Sequence, residues 1–536
     1  MRQTSIPFQD TGYFSNLICD YLNQKETLKP FYNRFPSIEN FRAQILEKQA
    51  SATFSESQRT VLVDALKEQY QSVEASEATL NNIHALHEPT TFTITTGHQL
   101  NLFTGPLYFL YKIISTINLC KILKEVYPDY DFVPIYWMAT EDHDFEEINY
   151  FNFKGKKIKW NQETGGAVGD LSTEGLEKVA DLLSAELGAS INAKYLIDLF
   201  KNAYLKHEKL SAATRFLANE LFKDYGLVVL DAHDASLKRL LVPFMKRELL
   251  DQVSSCAVSK TNEALAAISD NYTIQVNPRD INLFYLAENL RERIVFENDS
   301  YKVLNTDIIW SKDEILNEVE TSPETFSPNV IMRPLYQEVI LPNLCYIGGG
   351  GELAYWLQLK AYFDEVNVVF PVLLLRNSVL VQSESQSNKL EKLAISNSDL
   401  FLDADSLTTK KVKQISNIDI DFSDQKDFLK DQFKDLYELA ELTDKSFLGA
   451  VKAQEVKQLK GLEHLEKRLL KAQKRKLSDH VDRLAKLHQE LFPNSSLQER
   501  QKNFSEFYLE YGDSLIAELI ADLDPLKMEF LIKTLA

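Results

Sequence analysis

The segment from residue 91 to residue 139 constrains the fold more than any other part of the sequence. It begins with the β-branched run TFTITTGHQ (91–99), continues through NLFTGPLYFLYKIISTINLCKIL (101–123) and ends with the apolar run FVPIYWMA (132–139). The outer runs are typical of buried strands, and the middle run is long enough for a helix, with Pro106 in the first turn, where a missing N–H costs nothing. Strand, helix and strand in this order predict a βαβ unit and therefore a parallel sheet.

Three later segments repeat the pattern of an apolar run followed by a helix or a turn. They are YGLVVLDAHD (225–234), RPLYQEVILPNLCYI (333–347), which leads into a glycine run, and VNVVFPVLLL (366–375), which ends at Arg376. We predict a strand in each of them. The predicted fold class is α/β, with a parallel sheet at the centre of the main domain.

Four of the predicted strands end in polar or glycine-rich residues. The ends are TTGHQ (95–99), TEDHD (140–144), DAHD (231–234) and GGGGE (348–352). In open parallel α/β sheets, ligands bind beyond the carboxyl ends of the strands. We therefore expect these four ends to lie along one edge of the sheet and to form a pocket.

A chain of 536 residues is too long for one compact core, so we expect more than one domain. Residues 385–490 lack a strand pattern and predict helices, with nine acidic and four basic residues in 417–447 but eleven basic and six acidic residues in 451–490. An acidic helix followed by a basic one predicts an antiparallel coiled-coil arm. We predict a core at 1–384 with insertions at about 150–220 and 271–330, the arm at 385–490, and a segment at 491–536 that returns to the core.

The net charge of −19 argues against broad binding of nucleic acid, which requires a basic surface. No apolar stretch reaches the roughly 20 residues that span a bilayer. The amino-terminal residues MRQTSIPFQDTG lack the pattern of a signal peptide. These features predict a cytoplasmic protein without a membrane or nucleic-acid partner.

Two of the strand ends have features of an anion or nucleotide site. His98 and Gln99 precede a helix whose amino terminus favours phosphate or carboxylate groups, although His98 could equally cap or pack. The run Gly348–Gly351 permits close approach of a ligand to the backbone, but it matches neither the dinucleotide fingerprint nor the Walker A pattern. Glu352 could bind a ribose hydroxyl or an amine, and a simple tight turn is the alternative for the glycine run.

The cluster TEDHDFEE (140–147) is open to three interpretations: a metal site, a general acid/base or amine-binding site, and a solvated loop that caps a helix. In an extended segment Glu141 and His143 share one face, and Asp142 and Asp144 share the other. At most two metal ligands would therefore converge, and His233 or His98 would have to complete the set.

Arg333 and Arg376 both adjoin apolar runs. A buried arginine needs an anionic partner, which is either a protein carboxylate or a substrate carboxylate. No GxSxG or HExxH motif is present.

Four stretches together resemble the BshC family of bacillithiol biosynthesis: TTGHQLNLFTGPLYFLYK, VPIYWMATEDHDFEEIN, NVIMRPLYQEVILPNLCYIGGGGELAYWLQLK and FPNSSLQER. The resemblance implies a Rossmann-like, nucleotidyltransferase-type core with inserted segments and a coiled-coil arm that pairs two subunits. It implies a ligase that joins L-cysteine to glucosaminyl malate by amide formation. Among cofactors, we consider ATP or ADP possible and assign no metal. One departure is Gly350, which stands where the family's loop is expected to have a proline.

The core implied by the resemblance is similar to class I aminoacyl-tRNA synthetases, which have a HxGH-type motif after the first strand. The matching residues here are Thr96–Gln99, so His98 alone has a counterpart. Arg500 in LQER lies at a position comparable to the late lysine loop of those enzymes. From the strand-end clusters we expect the carboxyl group of cysteine to be activated, as an acyl phosphate or an adenylate, before the amine attacks it.

We assign roles to the residues at the strand ends on this basis. His98 and the helix start near Gly105 would stabilise phosphate or oxyanion charge, an acid among Glu141, Asp142 and Asp144 would bind or deprotonate the attacking ammonium, and Arg333 would hold a carboxylate such as that of malate. The remaining predicted substrate contacts are Gln99, Thr104, Gly105, His143, Gln337, Glu352, Tyr355 and Arg376. The predicted nucleotide contacts are Gly348, Gly349, Gly350, Gly351 and Arg500.

Two alternatives from other functional classes stay open at this point. One is a dimeric scaffold protein that binds a nucleotide or metabolite without catalysis, which the arm would suit. The other is a metal-dependent hydrolase that uses TEDHD and DAHD.

Overall fold

A computed structural model describes residues 3–51, 54–71, 73–162, 165–443 and 445–535. Among these residues, no helix is long and apolar enough to cross a membrane. The strands, in chain order, are β1 (Gln3–Pro7), β2 (Thr91–His98), β3 (Asp131–Met138), β4 (Tyr150–Phe153), β5 (Lys156–Lys159), β6 (Val228–Asp231), β7 (Leu283–Ala287), β8 (Leu290–Glu297), β9 (Ser300–Val303), β10 (Ile309–Trp310), β11 (Phe326–Pro328), β12 (Asn343–Gly348), β13 (Val372–Leu375), β14 (Ser378–Ser383) and β15 (Glu529–Leu535).

The α-helices up to the end of the predicted core are α1 (Asn16–Leu22), α2 (Ile38–Ala50), α3 (Glu56–Gln69), α4 (Glu77–Ala85), α5 (Tyr108–Val126), α6 (Phe145–Ile148), α7 (Leu176–Leu187), α8 (Ile191–Tyr204), α9 (Leu210–Phe222), α10 (Ala235–Asp251), α11 (Val253–Ile268), α12 (Lys312–Thr321), α13 (Arg333–Ile340), α14 (Gly350–Trp356) and α15 (Lys360–Glu365). The later helices are α16 (Glu384–Lys392), α17 (Ala404–Ile415), α18 (Ser423–Glu441), α19 (Lys445–Lys476), α20 (Ser478–Leu491), α21 (Gln498–Gln501), α22 (Phe504–Tyr511) and α23 (Ser514–Asp522).

A five-stranded parallel sheet with the order β13-β12-β2-β3-β6 lies at the centre of the larger compact unit, which comprises residues 3–380 and 498–533. Every residue of β2 is buried, as expected for a strand that is covered on both faces. Helix α5 packs against β2 and β3 and is apolar around most of its circumference. The predicted parallel sheet and its βαβ unit are confirmed.

Helix α5 begins later than the sequence predicts. A short 3-10 turn, Leu102–Thr104, comes first, and the helix starts at Tyr108, so that Pro106 precedes its first turn. The delay has a backbone cause, because Phe103, Thr104 and Gly105 all have positive φ values, which no right-handed helix contains.

Two of the predicted strands are wrong in part. Residues 333–340 form helix α13, and only 343–348 form strand β12. Seven consecutive residues of α13, 334–340, are buried, so the run resembles a buried strand, although Arg333, Gln337 and Glu338 lie on one side of the helix and Pro334 suits its first turn. In the run 366–375 only Val372–Leu375 joins the sheet.

The predicted insertions have folds of their own within the same unit. Strands β4 and β5 form a hairpin, and helices α7, α8 and α9 follow it. Strands β7 to β11 form a second, antiparallel sheet with the order β10-β9-β8-β7-β11. The predicted strand-rich character of 271–330 is therefore confirmed.

The smaller compact unit contains residues 381–497. Within it α18 and α19 lie side by side, and the pairs Lys426–Glu466 (Nζ to Oε2, 2.5 Å) and Tyr437–Glu455 (Oη to Oε2, 2.7 Å) show that the two helices are antiparallel. Their contact includes Phe433 and other apolar side chains. The predicted antiparallel coiled-coil arm is confirmed.

Candidate functional site

The carboxyl ends of four parallel strands bring the predicted polar segments to one edge of the sheet. His98 at the end of β2 lies opposite Met138, and Met138 lies opposite Asp231 at the end of β6. On the other side, Thr96 lies opposite Ile347, which directly precedes Gly348. The segments that follow these strands are therefore neighbours, and they form the candidate site within the larger unit.

His98 lies against the rings of Tyr108 and Phe109, with centroid distances of 5.4 and 5.1 Å, and is 6% exposed. Burial, reinforced by the nearby Lys112 ammonium, lowers the pKa of His98 to about 3. The imidazole is therefore neutral at pH 7 and can act through hydrogen bonds but not through a positive charge. Its Nε2 atom is buried and has no hydrogen-bond partner among the described residues.

The loop between β2 and α5 has a backbone conformation that most residues avoid. Phe103 and Thr104 have φ values of 48° and 68°, and Gly105 follows at 62°. A Cβ atom on Gly105 would lie 2.6 Å from the Cβ of Asn101. Asn503 holds the loop, because its Nδ2 donates to the carbonyl oxygens of Phe103 and Gly105 at 2.7 and 2.6 Å. Strain that dedicated contacts maintain is typical of functional loops.

Thr104 also presents a polar atom to this region. Its Oγ1 is buried and has no partner in the part of the chain that the structure describes. A buried hydroxyl without a partner costs free energy, so a ligand atom that bonds to it would be favourable.

Glu352 belongs to a network that connects β2, β12 and α5. Its carboxylate accepts hydrogen bonds from Tyr346 Oη at 2.7 Å and from the Gly349 N–H at 2.8 Å, and it pairs with Lys112 Nζ at 2.7 Å. Lys112 also donates to the carbonyl oxygen of Gly97 at 2.6 Å. The charge of Glu352 is thus balanced by Lys112, and the pair fixes the geometry of the sheet edge.

Arg333, the first residue of α13, lies among aromatic rings. Its guanidinium carbon is 5.6, 5.6 and 5.9 Å from the ring centroids of Trp137, Tyr346 and Trp356. Nη1 donates to Gln337 Oε1 at 3.1 Å, while Nη2 is buried and unpartnered among the described residues. A guanidinium in these surroundings suits a carboxylate from a ligand.

A network of buried polar side chains connects Arg333 to Lys48. Gln337 Nε2 donates to Glu338 Oε1 at 3.0 Å, and Glu338 Oε2 pairs with Lys48 Nζ at 3.0 Å. Asn343 Nδ2 donates to the same Glu338 carboxylate at 2.6 Å. The side chains of Glu338 and Lys48 are 0% and 1% exposed. This network orients the Gln337 amide, which in turn positions the Arg333 guanidinium.

The second predicted arginine has a protein partner. Arg376 Nη2 lies 2.6 Å from Glu499 Oε1, and both side chains are buried, so the structural pairing accounts for this guanidinium. Only its Nε atom is buried without a partner among the described residues. Arg500 is exposed and lies close enough to Tyr108 to interact with it electrostatically.

The glycine run forms the start of α14. The Gly349 N–H is already bonded to Glu352, and Gly348 is crowded, since a Cβ there would lie 2.9 Å from the Tyr346 ring. A Cβ on Gly350 would meet only ordinary contacts at 3.6 Å, and one on Gly351 would meet nothing within 4 Å. The open backbone of the run is thus limited to Gly350 and Gly351.

Residues 139–143 form a turn and not the expected extended segment. The Asp142 N–H donates to the Ala139 carbonyl oxygen at 3.1 Å, and the Asp142 carboxylate accepts from the His143 N–H at 2.8 Å. The expectation that Glu141 and His143 share one face is therefore wrong. His143 is exposed and its Nδ1 lies 2.8 Å from Arg291 Nη1, whereas Glu141 faces other partners.

Glu141 lies between a lysine and a histidine. Lys238 Nζ is 2.6 Å from Glu141 Oε1, and His233 Nδ1 is 3.1 Å from the same oxygen. Burial alone would raise the pKa of Glu141, but Lys238 and His233 outweigh it and lower the pKa to about 2. Glu141 is therefore a fixed carboxylate and a poor proton acceptor at neutral pH.

The remaining acids of the cluster differ in their surroundings. Gln99 Nε2 donates to both Asp142 Oδ2 and Glu147 Oε2 at 2.9 Å, so the structure brings Gln99 and Asp142 together. Asp144 is exposed and precedes α6 without a side-chain cap, and it joins neither group. No three His, Cys, Asp or Glu side chains are arranged to hold a metal ion in the described ranges.

Comparison with known proteins decides the family. Residues 1–377 match the family "Bacillithiol biosynthesis BshC, N-terminal Rossmann-like domain", and residues 379–535 match "Bacillithiol biosynthesis BshC, C-terminal coiled-coil domain". The chain belongs to the BshC family. The predicted resemblance, the Rossmann-like core and the coiled-coil arm are confirmed.

BshC relatives align with this chain over most of the length of both sequences. A protein from Flavobacterium johnsoniae is 62% identical to this chain, and the alignment covers 100% of both. A protein from Christiangramia forsetii is 59% identical, over 100% of this chain and 99% of its own length. A protein from Cytophaga hutchinsonii is 39% identical, over 97% of this chain and 96% of its own length. Each is named "Putative cysteine ligase BshC". At the level of the family, the predicted enzyme class of ligase is confirmed.

In this BshC chain, several residues at the sheet edge were not predicted from the sequence. Lys112, Lys238 and Lys48 are the cations that pair with Glu352, Glu141 and Glu338. The sequence itself indicated that two of these lysines are unusual. Lys112 is the only charged residue in YFLYKIISTINL, and Lys48 lies in line with the apolar positions of α2. No pattern in the sequence indicates the role of Asn503, because that role depends on a loop about four hundred residues earlier in the chain.

Proposed function

We propose that this chain is an amide-forming ligase that joins the carboxyl group of L-cysteine to the amine of glucosaminyl malate and so produces bacillithiol. Membership of the BshC family over the whole length supports the reaction class. The observation that supports it most directly is Arg333, whose Nη2 is buried and unpartnered among the described residues at the sheet edge. Both substrates contain carboxylates, and a bidentate or single charge-assisted hydrogen bond to Arg333 would complete its coordination.

Activation of cysteine requires a good leaving group, and we propose that ATP supplies it as a co-substrate. Lys112 and Arg376 are already paired with protein carboxylates, whereas Arg500 is exposed beside Tyr108 and free to contact phosphate. Gly350 and Gly351 offer open backbone at the same edge. The neutral His98 would contribute a hydrogen bond through Nε2 and no charge.

We propose that the arm pairs two copies of the chain. Phe428, Leu439 and Leu442 on or beside α18 are 67%, 53% and 83% exposed, and Val456 and Leu465 on α19 are 44% and 52% exposed. Large apolar side chains on a solvent-facing helix pair are typical of a protein interface. The acidic α18 and the basic α19 also favour contact with a second arm that offers the opposite charge.

The experiment is a product assay. Purified protein is incubated with L-cysteine and glucosaminyl malate, with and without ATP, and bacillithiol is measured by mass spectrometry. We expect product only with ATP. Product without ATP would contradict the proposed activation, and no product under either condition, from folded protein, would contradict the proposed ligase.

A further inference from the structure

A cavity lies beside the carboxyl end of β6, within the larger unit. Its volume is about 610 Å³, which suits a small ligand. Its charged lining residues are Asp170, Lys209, His233, Glu288 and Glu324. Lys209 Nζ is neutralised by Asp170 Oδ1 at 2.7 Å, so Glu288 and Glu324 leave the cavity negative overall and favourable to a cationic ligand.

The cavity is built from close backbone contacts. A Cβ on Gly165 would lie 2.7 Å from the carbonyl oxygen of Asn289, so only glycine allows this approach to the β7–β8 turn. Gln162 also lines the cavity, and its Oε1 is buried with no hydrogen-bond partner among the described residues. An acceptor of this kind suits an ammonium or hydroxyl donor from a ligand.

His233 has the environment of a general base. Its Nδ1 lies 3.1 Å from Glu141 Oε1, and its Nε2 lies 3.8 Å from Oδ2 of Asp170, which lines the cavity together with His233. Glu141 is in turn held by the buried Lys238. A carboxylate that holds one imidazole nitrogen fixes the ring and stabilises the imidazolium that forms when the other nitrogen takes a proton.

The charged groups around His233 set its basicity. Burial and the Lys238 ammonium lower its pKa, but the hydrogen bond and charge of Glu141, with a contribution from Asp231, outweigh them and raise it. Asp170 faces Nε2 from the other side. Because its pKa is raised, the His233 imidazole is a stronger base than a free imidazole, which favours proton abstraction from an ammonium group.

We propose that this cavity binds the amino-sugar part of the amine substrate, and that His233 is the base that deprotonates its ammonium group. This inference rests on the proposed function. One N–H bond of the ammonium breaks, the proton goes to Nε2 of neutral His233, and the nitrogen keeps the electron pair. With that pair it attacks the carboxyl carbon of cysteine that ATP has activated, so that the C–N bond forms as the C–O bond to the phosphate or AMP leaving group breaks.

The strand order gives the two substrates separate places. Arg333 lies over Trp137 of β3 and Tyr346 of β12, while His233 follows β6 at the end of the sheet. Arg333 therefore lies over the intervening strand β2, and because adjacent strands are about 4.8 Å apart, β2 and β6 are separated by roughly 10 Å. The edge is thus wide enough for an activated acid and an amine side by side.

The binding half of the inference is tested by calorimetry without cysteine or nucleotide. Glucosaminyl malate and its N-acetylated form, which has no ammonium group, are titrated into the full-length wild-type protein, Glu324→Gln and Ala287→Trp. We expect the acetylated form, Glu324→Gln and Ala287→Trp each to show at least tenfold weaker binding. Equal affinity in all four cases would overturn the cavity assignment, whether or not the wild-type protein forms bacillithiol.

The catalytic half is tested by steady-state kinetics of His233→Gln. We expect kcat to fall at least 100-fold and KM for glucosaminyl malate to change less than threefold, while the fall of activity towards low pH disappears. His207→Gln is the matched control, since that ring bonds to backbone carbonyl oxygens outside the cavity, and it is expected to keep wild-type kinetics. Wild-type kcat and pH profile in a folded His233→Gln protein would overturn the role of His233 while the proposed ligase stands.

Discussion

The buried ion pair between Lys48 and Glu338, which is connected to Arg333 through Gln337, allows the loss of stability in a variant to be predicted from the structure. In Lys48→Met the ammonium that pairs with Glu338 at 3.0 Å is lost, and the carboxylate, 0% exposed, keeps only the amide donors Gln337 and Asn343. Removal of one partner from a buried ion pair costs about 3–5 kcal/mol. The expected loss is near the lower end of that range, about 3 kcal/mol, because two hydrogen bonds to the carboxylate remain.

The same variant should have a characteristic pH dependence. Burial already raises the pKa of Glu338 against the opposing effect of Lys48, and without Lys48 the pKa rises further. An acid whose pKa is higher in the folded state than in the unfolded state binds more protons when folded, so stability falls as pH rises from the unfolded pKa of about 4.3. Lys48→Met is therefore expected to lose more stability at pH 8 than at pH 5.

Urea unfolding monitored by tryptophan fluorescence measures this loss selectively, because Trp137, Trp160, Trp310 and Trp356 all lie in the larger unit. Lys29→Met removes an exposed ion pair with Glu26 and is the control, with an unchanged unfolding midpoint expected. A Lys48→Met midpoint equal to that of the wild type at both pH values would refute the reasoning.

Three further predictions concern the loop, the arm and the histidine. Gly105→Ala should destabilise the larger unit by more than about 1 kcal/mol and lower kcat, because the new Cβ would lie 2.6 Å from Asn101. In the control Gly155→Ala the new Cβ would have no atom within 4 Å, so kcat should stay at the wild-type value. Equal kcat values for the two variants would contradict this prediction. Phe428→Asp should convert the proposed dimer to monomer in sedimentation experiments, and an unchanged mass would argue against the arm as the interface. NMR titration of His98 should show no change of protonation between pH 5 and 8, and a transition in that range would contradict its low pKa.

The parallel sheet was predictable because the evidence for it is local. Strands β2 and β3 are short apolar runs, and α5 between them is too long for a strand, so the order of elements alone indicates a βαβ unit. Helix α13 was mistaken for a strand because it has only eight residues, so its polar side, formed by Arg333, Gln337 and Glu338, repeats over only about two turns.

The candidate site was predictable as a place but not as a set of contacts. Its position follows from the strand ends, whereas the role of each acid depends on partners that are distant in sequence. Glu141 is held by Lys238 and His233, more than ninety residues away, and Arg376 is held by Glu499. Pairings of this kind depend on the tertiary fold, so the choice among the acids of TEDHDFEE could not be made from their spacing.

The most direct test of the account is the kinetics of an Arg333 variant in the bacillithiol assay. Arg333→Met removes the guanidinium whose Nη2 has no partner in the described part of the chain, and Arg42→Met, at an exposed position of α2, is the matched control. We expect Arg333→Met to lower kcat/KM at least 100-fold, equivalent to about 2.7 kcal/mol of lost transition-state binding, and Arg42→Met to match the wild type. A folded Arg333→Met protein with kcat/KM within threefold of the wild type would contradict the proposed site.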